Sequence, residues 1–504
     1  VADFTAGTGD EDDWFAHERE LYLAETGAFD VLALFCSLIL TVLQQQPSAP
    51  RANYDTYFTG ETMRVDYFHT GGPKSGETFA LDRVVNDGEW AGSRTRLVDD
   101  TNLGTYLFEL RDTATGTLIY SRGLSPLFGE WETTSEARTA HRTFHESVRS
   151  PWPRQPVSVT IRKRAAGNRF APVWTTEIDP NSRFVNRARR APAGTIWSML
   201  ESGPSTTTVD LLLISEGYAA AELSKFRADA TRLVDALFAH EPFKSRRGDF
   251  NVRALALPSP ERGVNRPHAG VFRRTPISAE YNIFDSERYL LTLDNRALRD
   301  AASAAPYEFL EILVNEKTYG GGGLFNDHAT SSVDSEFSDY VFVHEFGHHF
   351  AALADEYYTS DVAYETGATR HQEPWEPNVT ALRDPATLKW GDLVAPGTPL
   401  PTPWRKEEFE KHSRAIQERR REIRTRNAPE EEMNALFREQ RAFDEKLLSG
   451  MPFSGKVGAF EGASYEARGL YRPEADCIMF TRDRVGFCRV CRRAIARIID
   501  LYSR

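Results

Sequence analysis

The spacing of apolar and polar positions changes character near residue 205. Between about residues 54 and 180 the apolar positions fall in short runs, many with a period of two. Residues 63–68 (MRVDYF), 105–110 (TYLFEL) and 157–161 (VSVTI) are examples, and residues 71–73 (GGP), 86–88 (NDG) and 165–168 (AAGN) read as the turns between strands. This pattern predicts an all-β, sandwich-like domain over residues 51–190. Residues 181–208 read as a linker. Beyond it, residues 209–215 (VDLLLIS) form the apolar run of a buried strand, residues 219–239 have helical character, and residues 249–257 read as the next strand. Strand, helix, strand predicts an α/β domain over residues 205–504, and the chain as a whole is expected to be α+β.

Three further segments stand out. Residues 320–323 are four consecutive glycines behind an apolar, helix-like stretch at 309–314. A phosphate-binding loop would need Lys-Ser or Lys-Thr after the glycines, and Leu324 and Phe325 stand there instead, so the run reads as a flexible segment. Residues 405–448 are dense in charge and break at Asn427, Ala428 and Pro429. They predict a helical hairpin inserted in the second domain, with Glu430, Glu431 and Glu432 in a helix first turn where they suit the dipole. A solvated charged face is the expected role of this hairpin. Finally, residues 31–43 (VLALFCSLILTVL) are uncharged and followed by a polar stretch, which suits a signal-peptide core inside an N-terminal extension over residues 1–50. The acidic flank at Asp10, Glu11, Asp12 and Asp13 is wrong for a signal peptide, as it would be if the first ~25 residues were not native. A secreted or periplasmic location follows as an expectation, with no transmembrane anchor in the mature chain.

Composition adds little to this picture. The chain has 504 residues, long enough for two domains. The formal net charge of −12 argues against a general nucleic-acid binder, whose surface is usually basic. There are four cysteines. Cys36 lies in the apolar segment, and Cys477, Cys488 and Cys491 cluster near the C-terminus. One disulfide among the three suits an oxidising compartment, and the Cys488–Cys491 spacing alternatively suggests a zinc knuckle, which would lack a close histidine.

The segment that carries chemistry is 338–358. Ser338 reads as an N-cap, and the run behind it is helical. Within it lies HEFGH, residues 344–348. Residues four apart share a helix face, so His344 and His348 can reach one metal ion, and neutral imidazole suits zinc. Glu345 is placed to take a proton from a metal-held water and pass it to a leaving amine. Catalytic zinc usually takes three protein ligands, and two carboxylates follow closely, Asp355 and Glu356. A continuous helix would carry Asp355 about 10 Å past His348, so the helix must end near residues 352–354 and the chain must turn back. Asp355 is the preferred third ligand and Glu356 the alternative. His349 points about 100° away from His348 and reads as a packing or supporting residue.

HEFGHHFAALADEYY resembles the motif of the bacterial immunoglobulin-A (IgA) metallopeptidase family, metzincin-like zinc peptidases. The resemblance extends to YGGGGLFN (residues 319–326), FEGASYEARGLYRPEADCIMF (460–480) and FCRVCRRAI (487–495). It implies a metzincin-like catalytic domain holding one catalytic Zn2+, an N-terminal β-domain, and a structural methionine turn at Met479. The chain departs from the metzincin pattern HExxHxxGxxH, since Ala351 and Ala354 stand where that pattern has glycine and a third histidine. The departure supports a carboxylate one residue later. An oxyanion-stabilising side chain is expected among Tyr357, Tyr465, Tyr471 and Arg472.

The leading expectation is therefore a secreted zinc endopeptidase acting on a protein or peptide substrate. Two alternatives are a non-enzymatic extracellular binding protein with a structural metal, and a zinc amidase acting on cell-wall peptide. The presence of Glu345, which is not a ligand, favours catalysis.

Overall fold

Two four-stranded sheets dominate the first part of the chain. The computed structural model describes residues 52–73, 75–360 and 372–503. The extension with its apolar segment at 31–43 and Cys36 lies outside the described residues. After a single helical turn, α1 (Tyr54–Tyr57), come strands β1 (Phe58–Gly72), β2 (Ser75–Glu89), β3 (Tyr106–Asp112) and β4 (Leu118–Leu124). The short helix α2 (Leu127–Trp131) follows, then β5 (Arg142–Pro153), β6 (Val157–Ala165), β7 (Arg169–Ile178) and β8 (Val185–Asn186). One sheet has the order β5-β1-β2-β8 and the other β4-β3-β6-β7. Alternate residues of each sheet, among them Met63, Val65 and Tyr67 on β1 and Val157, Val159 and Ile161 on β6, enter one shared apolar core, as period-two patterning requires. The strands are longer than the pattern suggests. Residues 86–88 lie inside β2, where the irregular register between Glu61 and Met63 accommodates them, instead of forming a turn.

The second part is built on a six-stranded sheet of order β15-β16-β14-β10-β11-β9. Its members are β9 (Thr195–Leu200), β10 (Val209–Glu216), β11 (Phe250–Ala256), β14 (Phe309–Val314), β15 (Gly321–Gly323) and β16 (Ala329–Ser332). The pairs β12 (Ala279–Glu280) with β13 (Leu291–Thr292), and β17 (Phe460–Ala463) with β18 (Glu466–Arg472), stand apart from it. β10, β11, β14 and β16 run parallel, and β9 and β15 close the edges antiparallel. Every residue of β10 and β14 is buried, because both sheet faces are covered. One face carries α3 (Leu223–Leu237), α5 (Ser338–Ala351) and α8 (Arg489–Ser503), and the other carries α4 (Asn295–Ala302). The protein is a mixed α+β structure.

Three expectations are corrected here. Residues 181–208 are not a free linker, since they contain β8 and β9, and β9 is an edge of the second sheet. Residues 309–314 are a strand and not a helix. The glycine run is an edge strand and not a flexible segment. Its glycines serve close approach: a Cβ on Gly323 would stand 2.3 Å from the Glu345 carbonyl oxygen, and one on Gly321 would stand 2.9 Å from the Thr330 oxygen. The strand thus lies directly on α5.

The charged hairpin forms as expected from α6 (Lys406–Thr425) and α7 (Glu430–Ser449). It is not wholly solvated. Ile416, Ile423, Met433, Leu436 and Phe437 pack with Tyr319, Phe337 and Val341 of the sheet-and-helix body. Among the described residues no helix is long and apolar enough to cross a membrane.

The described residues form one compact unit. A buried ionic network joins its halves. Arg64 donates to Asp66, Asp87 and Asp300, Arg83 donates to Asp66 and Asp300, and Arg149 donates to the Tyr307 carbonyl at 2.8 Å. Burial opposes charge on Arg64, but Asp87 and Asp66 outweigh it and hold the guanidinium well above its ordinary value. Removing one member of such a network leaves its partners unpaired, which is costly.

Because Gly323 meets backbone and not a flexible side chain, Gly323→Ala is expected to destabilise the protein by about 1–3 kcal/mol. Gly76→Ala, with open space around it, serves as the control. Urea midpoints measure both, and an unchanged midpoint for Gly323→Ala would refute the close-approach role.

Candidate metal centre and cleft

Helix α5 is buried on nearly all sides. Phe342, Phe346 and Phe350, four residues apart, face the sheet, where Phe346 and Phe350 meet Phe243 and Phe309. His344, Glu345 and His348 face a cleft of about 640 Å3. The helix starts one residue earlier than a Ser338 cap implies. Phe337 holds the cap position, and Ser338 is the first helical residue, its hydroxyl accepting from Arg232 at 3.0 Å.

The helix ends at Ala351, and Ala352 turns the chain with φ of 53°, the left-handed conformation usually taken by glycine. Ala352 N donates to the His348 carbonyl at 3.0 Å. The returning segment is then held by Asn378, whose side chain accepts from Ala354 N at 2.8 Å and donates to Ala354 O at 2.9 Å. Ser464 N donates to Asp355 O at 2.9 Å, adding a third fastening from the β17–β18 hairpin.

The return brings Asp355 back over the helix. His344 Nε2 and Asp355 Oδ1 are 3.0 Å apart, His348 Nε2 and Asp355 Oδ1 3.2 Å, and the two Nε2 atoms 3.1 Å. A tetrahedral ion with ligands at ~2.0–2.1 Å has ligand–ligand edges of about 3.3 Å, so the triangle fits zinc. The opposite ring nitrogens are committed. His344 Nδ1 donates to Ile478 O at 2.9 Å and His348 Nδ1 to Leu353 O at 2.5 Å. With the ring protons on Nδ1, both Nε2 lone pairs and the Asp355 carboxylate point to one place, which suits a cation. The charges agree. Burial alone would lower His348, but Asp355 and Glu345 pull it up to about 9. Burial alone would raise Asp355, but His348 and His344 hold it well below the usual carboxylate range. Tyr465 donates its hydroxyl to Asp355 Oδ2.

Glu345 shares the cleft. Burial raises its carboxyl above the ordinary value, with His344 and His348 offsetting part of the rise. Behind it Glu311 of β14 is fully buried, and burial with the neighbouring Glu345 pushes it well up.

The remaining expected residues divide. Glu356 does not join the triangle. It is fully buried and turned away, with its N–H donating to Met479 O at 2.8 Å and its Oε1 accepting from Asn378 at 3.0 Å. Met479 lies beneath α5, its sulfur 3.0 Å from where a Cβ on Gly347 would be. His349 is a packing residue. Its Nε2 accepts from Leu310 N at 3.1 Å, its Nδ1 donates to Leu324 O at 2.8 Å, and burial pushes it down to about 3. Tyr357 and Tyr465 line the cleft. Arg472 does not, being fully buried and donating to Gly462 O at 2.9 Å, and Tyr471 lies outside the lining as well. The expected disulfide is absent among the described residues, where Cys477, Cys488 and Cys491 are free and buried.

Sequence reasoning missed two cleft residues. Arg288 donates to the Tyr357 hydroxyl at 2.8 Å, and its Nε and Nη2 are buried without a hydrogen-bond partner. Glu130 comes from α2 of the β-rich half, and burial pushes it up to about 7. No local motif marks either one, because both reach the cleft through the packing of the two halves.

A helix-borne His-Glu-x-x-His pair closed by a returning carboxylate in a large cleft is the arrangement of a metal-dependent hydrolase. Residues 197–499 match the family described as IgA Peptidase M64, and residues 53–175 match the description Peptidase M64 N-terminus. The chain belongs to the IgA peptidase M64 family and is accordingly a metallopeptidase. A search of curated proteins finds no match.

Two outcomes follow from the geometry. Ala352→Gly relieves the left-handed alanine and is expected to raise stability by about 0.5–1 kcal/mol in the metal-free protein, read from urea midpoints, while a loss of stability would contradict the strain. Tyr465→Phe removes the hydroxyl on Asp355 and is expected to weaken metal affinity 10–100-fold by competitive chelator titration, with no change contradicting the supporting role.

Proposed function

We propose that the chain is a secreted zinc-dependent endopeptidase with a metzincin-like catalytic domain, its ion held by His344, His348 and Asp355. The observation that carries this reading is the triangle of three ligand-type atoms at 3.0–3.2 Å, with Glu345 beside it in the cleft. Bound zinc supplies Lewis-acid polarisation of the scissile carbonyl and brings the pKa of water to about 7. Glu345 accepts the proton of the attacking water and returns it to the leaving amine. Its neighbours suit the task, because burial raises its proton affinity and the two imidazoles hold the rise in check. Arg288 lines the same cleft and carries two buried guanidinium nitrogens without a hydrogen-bond partner, and we assign it to the carbonyl oxygen as negative charge develops there. Tyr465 and the two backbone carbonyls on His344 and His348 orient the ligands.

The cleft walls come from both halves of the molecule, with Glu130 and Thr133 on one side and Tyr357 and Trp375 on the other. Cleavage specificity resides in these walls and not in the ligand set, so immunoglobulin A, named in the family description, is not carried over as the substrate. The apolar segment at 31–43 supports export.

Glu345→Ala is expected to lower casein cleavage by about 10²–10⁴-fold with bound zinc unchanged. His348→Ala is expected to lose the zinc of this site together with the activity, and Arg288→Ala to lower kcat about 10²–10³-fold with zinc retained. Atomic emission and a fluorescent casein assay read all three. Cleavage surviving in Glu345→Ala would overturn the mechanism.

A further inference from the structure

Beneath the cleft floor a second group of ligand-type side chains converges. Cys477 and Cys491 and the Glu356 side chain are fully buried, and Cys488 is 4% exposed. One ligand atom from each of the four lies within 4.8 Å of all the others. Cys477 Sγ and Cys491 Sγ are 3.9 Å apart, and Cys491 Sγ is 3.4 Å from Glu356 Oε1. For a tetrahedral zinc ion with Zn–S of ~2.3 Å and Zn–O of ~2.0–2.2 Å, the S–S edge is about 3.8 Å and the S–O edge about 3.5 Å. The backbone is arranged to stabilise thiolates. Cys488 N–H donates to Cys477 Sγ at 3.3 Å, and Cys491 N–H donates to Cys488 Sγ at 3.5 Å. The two-residue spacing of Cys488 and Cys491 at the start of α8 places two thiols on one side, and Cys477 and Glu356 close the other.

An apolar core gives no reason for this grouping. Buried free cysteines are common as small hydrophobes, but a carboxylate among three of them is not. Glu356 Oε2 has no hydrogen-bond partner among the described residues. A disulfide would consume two of the thiols and leave the carboxylate and the third thiol uncompensated. A soft divalent cation satisfies all four groups together, and four protein ligands make a closed shell with no open position for substrate.

We propose that Glu356, Cys477, Cys488 and Cys491 form a second, structural zinc site, separate from the site that faces the cleft. It stands on its own geometry and does not depend on the peptidase reading. Its place in the fold gives it a purpose. Glu356 directly follows Asp355, and its N–H is bonded to Met479 O at 2.8 Å. Cys477 directly precedes Ile478, whose carbonyl accepts from His344 Nδ1 at 2.9 Å. The ion would fasten the returning segment with Asp355 to the turn that supports His344, and both to α8.

The test uses the whole chain with both His344→Ala and His348→Ala, which removes two ligands of the cleft site and no thiol. This variant is expected to keep about one zinc per chain where the parent holds about two. Reconstituted with cobalt(II), it is expected to show the near-ultraviolet thiolate-to-cobalt charge-transfer absorption, which the cleft site cannot produce because it has no sulfur ligand. Adding Cys488→Ser and Cys491→Ser is expected to abolish the band. Since the histidine variant alone decides, a cysteine variant that fails to fold leaves the test intact. A zinc-free histidine variant, a cobalt spectrum without the band, or a disulfide between any two of these cysteines by mass spectrometry of the unreduced protein would overturn the proposal. Failure of casein cleavage would bear on the peptidase reading and leave this result untouched.

Discussion

The reversal of the chain at Ala352 is the constraint on which the metal centre depends. Helix α5 by itself supplies two imidazoles on one face and nothing to close the set. Continued by one more turn it would carry Asp355 out of reach. The left-handed residue ends the helix, and the His348–Leu353 hydrogen bond ties the proposed ligand to the reversal. Asn378 and the β17–β18 hairpin then hold the returning segment, with Asp355 Oδ1 3.0 and 3.2 Å from the two Nε2 atoms. Holding the three ligand-type atoms at one point requires a framework that does not yield, and the surrounding packing supplies it.

The rest of the molecule reads as support for that framework. The edge strand of glycines lies against the carbonyl of Glu345, where any side chain would push the helix away. The turn that carries Met479 rises from below, with Ile478 O bonded to His344 and Met479 filling the space beside Gly347. The β-rich half is not an appendage. Through Arg64 and Arg83 on Asp300 and Arg149 on the Tyr307 carbonyl it is locked onto the second half, and α2 thereby becomes a wall of the cleft. The cleft lining accordingly comes from both halves.

What the sequence made legible follows the range of the interactions concerned. His344, Glu345 and His348 were readable because helical spacing alone places them together, and the need for the helix to stop before Asp355 followed from its rise per residue. The choice between Asp355 and Glu356 was not readable with the same force, since it rests on Asn378 and Ser464, far along the chain. The glycine run misled for a related reason. Glycine usually marks freedom, whereas here it marks contact with a helix that only the folded chain brings near. Residues 181–208 misled because β9 is an edge strand of weak pattern, paired on one side only. Arg288 and Glu130 carried no signal at all, because their positions depend on how elements distant in sequence pack.

The most direct test of the central claim is metal-dependent peptide cleavage by the full chain. The protein is stripped with a zinc chelator until the cleft site is empty, zinc is added back in substoichiometric steps, and casein cleavage is followed at each step. The account predicts that activity disappears on stripping and returns in proportion to zinc, reaching its plateau when the cleft site is filled. Full activity in the stripped protein, or a zinc-loaded protein that cleaves no peptide bond, would contradict it.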